Sequence, residues 1–130
     1  MTLTIALLAT ALLFGGMVLY SFGFAAFMFS ALPGPVASGA LRQAFPHFYL
    51  FVIGASGVAA GFLALHDTIG AVILAVIAAT TIPARQILMP AINTATDTGA
   101  KGRFKALHGF SVAITLAHIV LAAVVLARFL

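Results

Sequence analysis

Four histidines (His47, His66, His108, His118), two aspartates (Asp67, Asp97) and no cysteine are the residues from which most catalytic or metal chemistry would have to be built in this 130-residue chain. Imidazole takes haem iron or copper readily, so a histidine ligand set is the first chemistry to consider. His108 and His118 stand about 15 Å apart along one helix and cannot share an ion. They belong to different sites, or His108 pairs with His47 at similar depth as a metal site. Each histidine also has a plainer role. His47 and His66 fall at predicted helix ends, where interfacial or capping duty is ordinary, and His108 follows a basic collar. His118 is midspan, where an imidazole is costly unless it has a partner. A hydrogen bond to a neighbouring helix would meet that need as well as an axial bond to iron. Met17, Met28 and Met89 are soft ligands in principle but ordinary packing residues in an apolar bundle.

Other catalytic templates fail. A carboxylate pair would need Asp67 and Asp97, which the predicted topology puts on opposite sides of a membrane. Ser111 and a histidine lack an acid at matching depth for a nucleophilic relay. No glycine-rich phosphate loop stands beside a lysine. Without cysteine there is neither a disulfide nor a thiolate site, and the redox compartment is not readable.

The helix that positions two of the histidines organises the chain. Arg103 to Leu126 reads RFKALHGFSVAITLAHIVLAAVVL, a basic collar followed by a bilayer-length apolar run. Taking His108 as zero, Ser111, Thr115 and His118 fall at about −60°, −20° and −80° around the helix, one narrow polar face. Such a stripe is expected to turn inward, towards protein, a cofactor or water.

Composition says what surrounds it. The chain is 64% apolar and 6% charged, against about 25% charged in a soluble domain, and its mean hydropathy is +1.25. This predicts an all-α integral membrane four-helix bundle forming one domain over residues 1–130, with spans at 3–29, 46–65, 69–92 and 104–127. The net charge of +4 gathers at predicted membrane edges, where anionic lipid explains it without nucleic acid. The first span has no basic n-region and is too long for a signal peptide, so it reads as retained.

Between the spans, Pro33-Gly34-Pro35 ends the first helix, and residues 36–45 read as a short surface helix because of Arg42 and Gln43. Pro46 suits the first turn of span two or a kink within a longer helix. Gly54, Gly57 and Gly61 give span two a smooth stripe for helix packing, against a neighbour in the chain or in a dimer seam. Asp67 or Thr68 is expected to cap span three, and Pro83 to kink it, with Thr80 and Thr81 satisfying freed carbonyls. Arg85 then lies at the membrane edge, snorkelling to headgroups or pairing with Asp97 or a ligand carboxylate. Residues 94–102 read as a polar loop. Arg42, Arg85, Lys101, Arg103 and Lys105 all belong to one side, so the positive-inside rule puts that side in the cytoplasm and both termini outside.

Three features together resemble a known family. They are Leu13-Phe14-Gly15-Gly16 in the first helix, the Arg42-x-x-x-Pro46 lead-in to the second, and Arg103-Phe104-Lys105-Ala106-Leu107-His108-Gly109-Phe110-Ser111 at the start of the fourth. With the proline-bearing third helix, they make the chain similar to bacterial relatives of the transmembrane protein 205-like group, a four-helix family without an assigned function. That group resembles the copper-resistance D-like proteins and the HemJ-like protoporphyrinogen oxidases, which bind haem b in a four-helix membrane bundle. This wider resemblance implies a haem or copper site, but the first-helix histidine of those relatives has no counterpart here. The membrane glutathione-binding proteins fit less well, because their acid-rich motifs are absent.

Two readings follow. The favoured one is a non-catalytic accessory or structural subunit, or an oligomer, in a bacterial inner membrane, with lipid and other membrane subunits or itself as partners. In the alternative, His108 or His118 ligates haem b or copper, and Arg85 or Arg103 holds a propionate.

Overall fold

The structure, a computed structural model, describes all 130 residues, and nearly all of them are helical. Four helices are long and apolar enough to cross a bilayer: α1 (Thr2–Ala31), α2 (Gly34–Leu63), α3 (Thr68–Asp97) and α4 (Lys101–Ala127). They run up and down in turn, α1 packing on α2 and α4, and α3 on the same two. Both termini and the α2–α3 connection therefore share one end. There Thr2 Oγ1 lies 2.7 Å from His66 Nε2, and Arg128 donates from Nε and Nη2 to the two Asp67 carboxylate oxygens at 2.6 and 2.7 Å.

The core is a thin seam. Leu13, Met17, Val52, Leu74, Ile77 and Val125 are fully enclosed, while Leu8, Leu19, Ile87 and Val120 stand exposed. In water such outer faces would be a defect; in hydrocarbon they are the solvent-compatible surface. The chain has the architecture of an integral membrane protein. α4 contributes least to the seam, burying only His118, Ala122 and Val125.

Three expectations about element boundaries need correction. No separate surface helix precedes span two: α2 runs unbroken from Gly34 through Pro46. The Arg42 charge that suggested an interface is met by Asp97, through Nη1 and Nη2 at 2.6 and 2.9 Å, so nothing forces the helix to stop. α3 likewise continues to Asp97, beyond the expected end at 92. Thr94 and Thr96 turn their hydroxyls back to Pro90 O and Ile92 O, so polar side chains that suggested a loop are satisfied within the helix. The connection shrinks to Thr98–Ala100. Gly99 takes φ +69°, and the N–H groups of Gly99 and Ala100 bond to Thr96 O and Ala95 O, the paired hydrogen bonds of a glycine-terminated helix.

The third correction concerns Pro83. The helix does continue through it, widening into a π-helical turn over Ala84–Leu88. Thr80 and Thr81 do not serve the carbonyl that Pro83 frees; their hydroxyls bond Val76 O and Ile77 O a turn earlier. A second π segment, Leu19–Phe24, interrupts α1. Such turns are inserted distortions, found often where a helix meets a functional demand.

Of the glycines expected at helix contacts, Gly15, Gly16 and Gly23 on the first helix and Gly54, Gly57 and Gly61 on the second, the structure brings Gly16 against a neighbouring helix. A Cβ at Gly54, Gly57 or Gly61 would meet nothing within 4 Å, so no helix of this chain packs on that stripe. A Cβ at Gly16 would stand 2.6 Å from the Phe51 ring, which makes Gly16 the close approach between α1 and α2. Asp67 does occupy the position before α3, with φ −145° and ψ 97°; its carboxylate is held by Arg128, with the Gly70 N–H of the first turn close by.

Candidate functional site

His118 is the one histidine drawn into the seam, 6% exposed. Its Nε2 lies 2.8 Å from Thr80 Oγ1 on α3, and that hydroxyl lies 2.7 Å from Val76 O. The single hydroxyl proton goes to the carbonyl, so the oxygen accepts from His118 Nε2–H. This tautomer follows from the hydrogen-bond network. It leaves Nε2 engaged between α3 and α4.

A second polar layer lies nearer the α3–α4 connection. Tyr20, within the α1 π segment, donates its hydroxyl to Ala44 O at 3.1 Å. Arg85, within the α3 π segment, donates from Nε to Pro46 O at 3.2 Å. Both distorted segments thus reach the α2 backbone beside Pro46, where a proline loosens the carbonyl ladder. Tyr49 and Ser111 add a 3.2 Å hydroxyl contact between α2 and α4. Arg85 therefore does not pair with Asp97. Asp97 has its partner in Arg42, and the remaining Arg85 contact is to Gln86 Oε1 at 3.4 Å.

Aromatic rings surround this layer. Tyr20 stacks on Phe48 with centroids 5.0 Å apart and planes at 11°, and meets Phe24 at 5.0 Å and Phe45 at 5.8 Å. Beside the stack, an open groove of about 640 Å³ between α1 and α2 is lined chiefly by apolar side chains, with His47 on its wall. Ser21 Oγ, next to Tyr20, is a buried side-chain polar atom without a hydrogen-bond partner.

The predicted site residues are dispersed. His47 is exposed on the α1–α2 groove, and His108 is exposed on α4 with its ring stacked on Phe104 at 5.4 Å and 8°. Of the polar stripe on α4, Ser111 and His118 bond to neighbouring helices, Thr115 turns back to Ser111 O, and His108 stays outside. Arg103 is exposed near the start of α4. No three histidine, aspartate or glutamate side chains converge as a metal site would need. Sequence reasoning missed Tyr20 and Tyr49. Tyr49, close after Pro46, could have been found by that proline; Tyr20 has no such signal in its surroundings.

At the termini, the Arg128 guanidinium, and after it the nearby Gly70 N–H, hold the Asp67 carboxyl down to about 2. The same pairing raises Arg128 above its ordinary value.

Residues 8–101 match a family described as a domain of unknown function, DUF4149. The match takes in α1 from its second turn, all of α2 and all of α3. The chain belongs to the DUF4149 family. No curated protein and no solved structure matches it. Both π segments, Pro46, Arg85 and the aromatic stack fall inside the DUF4149 match. His108, Ser111 and His118 fall beyond it, so the matched portion carries the Tyr20–Pro46–Arg85 layer and Thr80, without the histidine that Thr80 binds.

Proposed function

We infer that this DUF4149 protein is a non-catalytic membrane protein, an accessory or structural subunit or a self-associating one, whose intramembrane polar groups fasten its helices to each other. The observation that carries the reading is the Thr80–His118 hydrogen bond, which gives the one deep imidazole a partner on a neighbouring helix. Tyr20, Tyr49 and Arg85 are engaged in the same way with partners on other helices. Polar side chains in a low-dielectric seam hold register between helices that the hydrophobic effect alone does not drive together. The likeness of Arg103–Ser111 to the transmembrane protein 205-like group belongs to this reading, as does one domain over residues 1–130. So does an inner-membrane orientation with Arg42, Lys101, Arg103 and Lys105 in the cytoplasm and both termini outside.

An ultraviolet-visible spectrum with metal analysis, on protein gently extracted from its native membrane, tests the central point. A colourless, metal-free protein that co-purifies with larger membrane proteins or with itself supports the subunit reading. A Soret band or stoichiometric copper sinks it, and turns attention to His118, His108, Arg85 and Arg103. Because the chain has no cysteine, orientation is read independently by single-cysteine labelling. Gly99→Cys should react only with reagent that reaches the cytoplasm, and Thr2→Cys with impermeant reagent from outside.

A further inference from the structure

Both carboxylate side chains of this chain are already engaged. Asp97 takes Arg42 and Asp67 takes Arg128, each through two hydrogen bonds. Arg85, Lys101, Arg103 and Lys105 are left without a carboxylate, and the whole net charge of +4 resides in them. Arg85 is half-buried and donates to Pro46 O. The other three are exposed at the start of α4, within about 6 Å of helical rise.

The stability of α4 does not explain this collar. Cations at a helix N-terminus oppose the macrodipole, which favours anions there, and the first turn holds no acidic residue to offset them. Protein contact does not explain it either, since the first buried side chain of α4 is His118. Depth does. From Lys105 to Ala127 is about 33 Å at about 1.5 Å per residue, slightly more than the roughly 30 Å of a hydrocarbon core. With the Arg128–Asp67 pair in one headgroup layer, the collar stands in the other.

Direction and charge select the partner. Around the helix Lys105 lies about 40° from Lys101, while Arg103 lies about 160° from both. One face of a partner protein cannot meet both flanks of α4, whereas a headgroup layer surrounds the helix. Three full positive charges without an acid among them favour a lipid of net negative charge. A zwitterionic headgroup carries its own cation, which the collar repels. We propose that Lys101, Arg103 and Lys105 form a two-sided binding site for anionic phospholipid headgroups, the two lysines holding lipid on one flank of α4 and Arg103 on the other. The site requires the membrane architecture alone and stands without the subunit reading above.

Acyl chains below these headgroups run past Val112 on the lysine flank and Phe110 on the arginine flank, each exposed and about two turns deeper than Lys105 and Arg103 respectively. The chain has no tryptophan, so Val112→Trp and Phe110→Trp, made separately, report on the two flanks. Each protein is placed in phosphatidylcholine vesicles containing a minor fraction of brominated phosphatidylglycerol or, separately, brominated phosphatidylcholine. The expected result is a preference for phosphatidylglycerol in quenching at both positions, about fivefold at Phe110→Trp, the size expected of one basic group at an anionic surface, and larger at Val112→Trp, where two act. Arg103→Gln should remove the preference at Phe110→Trp and leave it at Val112→Trp. The pair Lys101→Gln and Lys105→Gln should do the reverse, and circular dichroism checks that each variant is folded. Equal quenching by the two lipids at either reporter would mean unselective annular lipid there and overturn the proposal. So would a preference that survives removal of its own flank's cations. Loss at both reporters after either change would point to the general field of this end, without two sites, and overturn it. Quenching by neither lipid would show that protein covers α4, and would overturn it too.

Discussion

His118 and Thr80 show what one polar pair does inside this bundle. Each is a poor guest in hydrocarbon, and together they tie α4 to α3 where α4 has few buried contacts of its own. Interhelical hydrogen bonds in membranes contribute about 0.6 kcal/mol on average and up to about 1.7. Thr80→Ala should therefore lower stability by that amount, and Thr80→Ser should restore most of it, in denaturation by a mixed-micelle titration. In a double-mutant cycle, His118→Leu should cost less in the Thr80→Ala background than alone; additive losses would mean that the two side chains do not act together. The inward turn of His118 was legible from its phase on the helix. Its partner was not, because Thr80 is remote in sequence and carries no mark separating it from Thr81.

At the scale of elements, two helices depart from regular geometry to reach the third. The π segments of α1 and α3 aim Tyr20 and Arg85 at carbonyls beside Pro46. Helix contact, by contrast, depends on close approaches at Gly16, against Phe51, and at Gly70, against Leu63. Gly16→Leu forces the Phe51 ring aside and is expected to cost about 1–3 kcal/mol, the range of overpacked sites. Gly57→Leu adds a side chain to an open face and should fall within about 0.5 kcal/mol of wild type in the isolated chain. If Gly57→Leu destabilises as much as Gly16→Leu in the same assay, a partner covers the stripe. A glycine pattern announces that some helix can approach. It does not say which glycine meets which neighbour, since that depends on how each helix is rotated about its axis.

The whole molecule is closed at each end by an arginine–carboxylate pair joining distant segments, Arg42 with Asp97 and Arg128 with Asp67. The second ties the last turn of the chain to the α2–α3 connection. Its carboxyl is lowered on folding from 3.8 to about 2. A depressed folded value means that the folded state prefers the carboxylate. The contribution is complete above about pH 4 and is lost as pH falls from there to about 2. Thermal unfolding should therefore be insensitive to Asp67→Asn below about pH 2 and show a lower midpoint for the variant at neutral pH. An equal difference at both pH values would mean that Asp67 acts through something other than its charge. The pair is solvent-facing, so added salt should shrink the difference as well.

Sequence by itself determined that this chain makes four apolar helices of bilayer length, that the third continues through Pro83, and which end gathers positive charge. Those properties are set locally, by hydropathy over a window, by proline chemistry and by counting charges. It misjudged the start of α2 and the end of α3, because Arg42, Thr94 and Thr96 look like interface or loop residues until their partners are known. Only the tertiary structure decided those partners, the choice of Gly16 over the Gly54–Gly61 stripe, and the separation of His47, His108 and His118 into different surroundings. Each depends on helix rotation and on side chains tens of residues apart. A bilayer-soluble sequence specifies these weakly, since almost any apolar face of a helix is equally acceptable to lipid.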